Sequence, residues 1–205
     1  MKNKFISMEG PDGSGKTTQI ELLKEYLEKK GYEILVTREP GGTKISEAVR
    51  NIILDKSYVE MDYMTEALLY AAARAQLVAE VIKPALDEGK FVISDRFVDS
   101  SAVYQGMARG LGVEAVYKIN EFAIQNVMPD ITVHLDLPAA VGITRKKNQA
   151  ELDRMELETL SFHESVADGY RELAKMSPDR IYTIDATQSA EDIHKLILKK
   201  LESML

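Results

Sequence analysis

Three glycines, a lysine and a threonine stand where a phosphate site needs them, in "GPDGSGKT", residues 10–17. The spacing is G-x-x-x-x-G-K-[ST], with an apolar run before it and an amphipathic run after it. From Gly10 through Pro11, Asp12, Gly13, Ser14 and Gly15, backbone N–H groups can turn inward around a phosphate. The helix that follows adds the positive end of its dipole. Lys16 is placed to reach the β- and γ-phosphates of a nucleoside triphosphate and the Thr17 hydroxyl to ligate Mg²⁺, with Thr18 a further cofactor-binding candidate beside them. The expected ligands are ATP and Mg²⁺.

A second stretch, "VISDRFVDSSAVYQG" (92–106), begins as a buried strand and stops on two opposite charges, Asp95 and Arg96. Charges at the end of a buried strand need partners. On the same rim as a phosphate loop, Asp95 is expected to share the Mg²⁺ with Thr17. A metal does not explain Arg96, which needs an anion. Further cations, Arg38 in "TREPGG", Arg50 and Arg74, belong to rim loops and helices. A second group, Arg145, Lys146, Lys147 and Arg154, occupies a polar segment. Two cationic groups suit two anionic substrates, a nucleoside triphosphate and a phosphorylated acceptor. The expected chemistry is phosphoryl transfer by Lys16, Asp95, Arg96 and Arg145. A phosphate acceptor is mostly dianionic at neutral pH, so no general base is required. A kinase acting on a nucleoside would need one, with Glu39 the nearest carboxylate. An ATP-sensing module without transfer is the remaining alternative. No N-K-x-D guanine signature follows a strand.

These residues must be held by elements, and the apolar pattern supplies them. "KFISM" (4–8), "EILVT" (33–37), "FVIS" (91–94), "ITVHLDL" (131–137) and "RIYTID" (180–185) read as strands covered on both faces. Helical periodicity fills 17–30, 65–82, 114–127, 158–175 and 189–204. The alternation predicts an α/β fold, a mainly parallel five-stranded sheet between helix layers, with ligands beyond the carboxyl ends of the strands. One domain over 1–205 is expected. "TRKKNQAELDR" (144–154) has no apolar stripe and reads as a mobile, irregular excursion, a lid over about 144–156.

The net charge of −7 argues against a nucleic-acid-holding protein. There are no cysteines for disulfides or thiolate metal sites. Met1-Lys2-Asn3-Lys4 leads into a short uncharged stretch unlike a secretory leader, and no apolar run is long enough to span a membrane. A cytoplasmic location is expected. His134, His163 and His194 show no spacing that suggests a triad, and read as structural.

In order, "TREPGG" (37–42), "DRFVDSSAVYQG" (95–106), "NEFAI" (120–124) and "PDITVHLDL" (129–137) resemble segments of the thymidylate kinase family. The resemblance implies a P-loop fold, phosphorylation of dTMP to dTDP with ATP for dTTP synthesis, a homodimer, and a lid closing over ATP. It also implies roles. Arg96 grips the acceptor phosphate, with Arg38 and Arg50 in support. Tyr70 stands where the family stacks a phenylalanine on thymine, Arg74 contacts the base, and Gln105 pairs with its edge. Tyr104 lies near the sugar C2′ and Asp12 near the 3′-hydroxyl. Glu39, Ser100 and Ser101 complete the acceptor pocket, and a lid cation, Arg145 first, meets the transferred phosphoryl group.

Overall fold

The computed structural model describes residues 4–147 and 153–204. Five parallel strands form one sheet: β1 (Phe5–Glu9), β2 (Ile34–Arg38), β3 (Phe91–Asp95), β4 (Ile131–Asp136) and β5 (Ile181–Asp185). Their order is β2-β3-β1-β4-β5. The register sets Met8 beside Asp95, Arg38 beside Asp95, and Asp136 beside Asp185. All strands therefore end on one rim, and three of those ends are Glu9, Arg38 and Asp95.

Side-chain alternation along β1 divides the core. Ile6 and Met8 pack with Leu23 and Leu27 of α1 (Lys16–Lys29) and with Ile193, Ile197 and Leu201 of α9 (Ala190–Glu202). Phe5 faces the opposite layer, against Leu77 of α3 (Tyr63–Leu77), Val98 of α5 (Val98–Ser101) and Phe97. Ser7 and Glu9 share the Phe5 side, so the alternation delivers a carboxylate into that layer. The three-layer expectation holds.

The second layer also contains α2 (Lys44–Leu54), α4 (Lys83–Asp87), α6 (Val113–Ile124) and α8 (Leu160–Met176). Hydroxyl and carboxylate caps start several helices: Thr43 accepts from Ser46 N, Asp62 from Met64 N, and Thr159 from Phe162 N. Two stretches wind as π-helix, Val78–Ile82 after α3 and Ala102–Ala108 after α5. Such turns recur at functional sites, and the second holds Tyr104 and Gln105.

The expected irregular lid needs correction at its start. Residues 144–147 are the last turn of α7 (Ala139–Lys147). The helix begins upstream of the polar stretch, where Ala139 and Gly142 are buried, and the polar residues continue it. Residues 148–152 and the side chains of Lys146 and Lys147 lie outside the described residues.

Candidate active site

The phosphate loop joins β1 to α1. Gly15 caps α1 at φ 93° with no side-chain cap, so the first N–H groups of the helix are not closed off by their own cap. At Gly13, φ is 75°, and a Cβ there would fall 2.6 Å from Gly142 O. The Gly142 side has the same constraint, since its Cβ would meet Asp12 O at 2.3 Å. Loop and helix α7 thus touch backbone to backbone. That contact brings Arg145 over the loop, where its Nη1 donates to Gly13 O at 3.1 Å.

Inside the loop, Lys16 Nζ donates to Gly10 O and Pro11 O, each at 3.1 Å. Burial, followed by repulsion from Arg96, brings the Lys16 ammonium down to about 8. The buried Ser14 hydroxyl has no hydrogen-bond partner among the described residues. Thr17, Thr18 and Asp95 line the same cleft as Lys16.

Arg96 follows β3 at φ 70°, a left-handed backbone that a residue with a Cβ avoids. The turn is clamped on both sides: Arg96 N donates to Met8 O, and Ser94 Oγ to Arg96 O. It aims the guanidinium back at the phosphate loop. Nη2 meets Asp12 Oδ1 at 2.8 Å, and Nη1 meets Ser100 Oγ at 3.1 Å and Tyr170 OH at 3.0 Å. The Tyr104 ring lies beneath, 5.1 Å from Cζ.

Glu9, fully buried, fixes this arrangement from behind. It accepts from Ser7 Oγ, Phe97 N, Ser100 Oγ and Tyr170 OH. Burial, with the nearby Asp99 charge, pushes its carboxyl up. The sequence reading missed Tyr170. It lies on the buried face of α8 beside Val166 and Leu173, where the periodicity marks only a core position.

On the acceptor side, Arg38 Nη1 and Arg50 Nη1 both donate to Pro40 O, at 2.9 and 2.7 Å. Glu47, also missed, holds Arg38 Nη2 through both carboxylate oxygens. Burial, then Arg38, lowers the Arg50 guanidinium. Tyr70 lines the cleft, and burial raises its phenol.

Arg74 shares a helix face with Tyr70, as its spacing predicts, but it sits deeper, 1% exposed behind Glu39 and Ser101. Its Nε and Nη2 bind Glu39, Nη2 also donates to Ser101 Oγ, and Nη1 donates to Asn120 Oδ1. A guanidinium has five N–H donors. One on Nε, one on Nη1 and two on Nη2 are engaged, so Arg74 has at most one to offer a base. Burial pushes the Glu39 carboxyl up to about 7, with Arg74 opposing.

Gln105 is buried at the cleft wall, and its Nε2 donates to Glu66 Oε1 at 3.0 Å. The Tyr104 hydroxyl is buried without a partner among the described residues. The second cationic group divides. Arg145 reaches the phosphate loop, whereas Arg154 turns away to Ile53 O and Glu66 Oε2, both at 2.7 Å. Glu66 escaped the sequence reading, although it precedes Tyr70 and Arg74 at the same four-residue spacing on α3.

A phosphate loop after the central strand, with an arginine-rich cleft facing it across the carboxyl ends of a parallel sheet, defines a P-loop nucleotide phosphotransferase. Comparison with known proteins narrows the class. The thymidylate kinase family model matches residues 8–197. The thymidylate kinase of Geobacillus thermodenitrificans (strain NG80-2) is 51% identical, covering 98% of this chain and 92% of its own. That of Thermoanaerobacter sp. (strain X514) is 52% identical over the full length of both. The crystal structure of thymidylate kinase from Ehrlichia chaffeensis superposes with a TM-score of 0.79 at 34% identity, covering 98% of this chain and 99% of that one. The chain belongs to the thymidylate kinase family.

Proposed function

We propose that the protein transfers the γ-phosphoryl group of ATP to dTMP, giving dTDP and ADP. One observation carries the reading: the phosphate loop, Arg96, Tyr70 and Gln105 line a single cleft of about 360 Å³. Donor phosphate, acceptor phosphate and acceptor base then have their contacts in one space. In the reaction an acceptor phosphate oxygen bonds to the γ-phosphorus as the bond to the ADP oxygen breaks. The acceptor is already mostly dianionic, so proton removal is not the obstacle. Alignment and charge neutralisation are.

Each group has one task. Lys16 meets the donor phosphates, Arg96 the acceptor phosphate with Arg50 and Arg38 behind it, and Arg145 approaches the transferred group from α7. Tyr70 covers the base, Gln105 and the last Arg74 donor read its edge, and Asp12 and Tyr104 face the sugar. Thr17 and Asp95 offer a hydroxyl and a carboxylate beside the loop. That small oxygen donor set fits Mg²⁺, which keeps phosphate and water oxygens as its other ligands. When bound, the ion supplies positive charge to the phosphates.

A coupled ADP-release assay tests the reading. ADP should form from ATP only when dTMP is present. ADP release indifferent to dTMP, or none at all, defeats it.

A homodimer and a cytoplasmic location belong to the same proposal. Supporting the first, Leu68 of α3 and Phe122 of α6 are 52% and 88% exposed on helices that pack together. Sedimentation should find two chains per particle. Among the described residues no helix is long and apolar enough to cross a membrane.

A further inference from the structure

Glu66 is fully buried in α3, yet no step of the transfer uses it. Its carboxylate accepts from Gln105 Nε2, from Arg109 Nε and Nη2 at 3.3 Å each, and from Arg154 Nη2 at 2.7 Å. Arg109 lies between the Tyr63 and Phe162 rings, 4.7 and 4.5 Å from their centres. Two guanidiniums, one of them packed between rings, thus hold a carboxylate against one amide of the cleft wall.

We infer that Glu66 is a specificity-determining positioning residue: it locks the Gln105 amide so that Oε1, an acceptor, meets the base edge. The reasoning is chemical. An ionised carboxylate only accepts hydrogen bonds, so the amide must turn its nitrogen toward Glu66. A free glutamine can rotate by half a turn and suit either a donor or an acceptor. Gln105 cannot do so without placing its carbonyl against a carboxylate and orphaning both. Thymine carries N–H at N3 and matches a fixed acceptor, whereas cytosine carries a lone pair there and does not. With Arg74 held by Glu39, two buried carboxylates orient the two groups that read the base. The inference rests on the thymidylate reading of the cleft.

The test compares dTMP with dCMP, as kcat/KM and as Kd without ATP, in the wild type, Glu66→Gln, Glu66→Asp and Gln105→Met. Glu66→Asp keeps the charge that the arginines need while drawing it back from Gln105. Each position-66 variant should narrow the dTMP/dCMP ratio at least about tenfold, mostly through weaker dTMP. Adding Glu66→Asp to Gln105→Met should leave the ratio of Gln105→Met unchanged. Loss of both nucleotides by one common factor, with the ratio intact, would make Glu66 merely structural and overturn the inference. If neither position-66 variant folds, the Gln105 side-chain amide of the wild type is read by NMR. Its N–H signals should stay nearly in place when dTMP binds, and a large shift would show that Nε2 meets the base. Failure of the wild type to phosphorylate dTMP would instead defeat the proposed function.

Discussion

At the scale of single residues, the site is built from charges whose burial is offset by one another. Lys16 illustrates the consequence. With its ammonium lowered to about 8, the ligand-free protein loses the charged form as pH rises through that value. kcat/KM for ATP, which reports the free enzyme, should therefore fall on the alkaline side with an apparent pKa near 8. Lys16→Ala should lower kcat about 10²-fold or more while leaving the circular dichroism spectrum unchanged, and should abolish that alkaline limb. A folded variant with normal turnover would remove Lys16 from the mechanism. Arg145 makes a different test, because it is exposed and donates to a loop carbonyl, Gly13 O. As a cation delivered to the transferred group, it should contribute about 10³–10⁵ in rate. Arg145→Ala should then depress kcat far more than it raises KM for dTMP, and unchanged kcat would pass the role to another cation.

Among the elements, the contact between α7 and the phosphate loop decides where that arginine sits. Gly142 is helical, so alanine there would be welcome on propensity alone. Its Cβ would nevertheless stand 2.3 Å from Asp12 O, a backbone atom with little freedom to move. Gly142→Ala must displace the helix from the loop and carry Arg145 with it. Misplacement of about 1 Å can cost about 10²-fold in rate. The variant should keep its melting temperature within a few degrees and lose kcat about ten- to a hundredfold. Steady-state kinetics alongside a melting curve checks this, and wild-type kcat would show that α7 does not set the geometry. The π-helical stretch Ala102–Ala108 acts on the acceptor side, where it holds the neighbours Tyr104 and Gln105 at the cleft wall.

Across the whole molecule, the central sheet and its second helix layer are joined through a histidine that does not line the cleft. His134 of β4 is fully buried, stacks on Tyr170 with ring centres 5.1 Å apart, and lies 3.1 Å from Thr183 Oγ1 of β5. Burial lowers its imidazolium to about 4. Between that value and the unfolded value of about 6.5, the unfolded chain holds the proton and the folded chain does not. Stability therefore falls as pH drops through this window, by up to about 3 kcal/mol from this group. Urea unfolding at pH 7 and pH 5 should show a loss about 2 kcal/mol larger in the wild type than in His134→Asn. Equal losses would mean that the imidazole titrates normally in the fold.

Much of this protein is legible in its amino acids taken in order. The strands, the phosphate loop and the strand-end charges Asp95 and Arg96 announce themselves because each depends on local pattern: alternation, glycine spacing, and a charge where an apolar run stops. Other features depend on pairs far apart in the chain, which no local pattern encodes. Tyr170 reads as a core residue until the fold brings it to Glu9, 161 positions away. Arg74 and Arg154 read as cations open to substrate until Glu39 and Glu66 engage them. The polar segment from 144 reads as irregular, but its first turn is helical because the residues that anchor the helix precede it. Local sequence determined which groups exist and which strand ends carry them. Tertiary structure decided which of those charges face a ligand and which are neutralised inside, because desolvation and pairing depend on neighbours that only folding brings together.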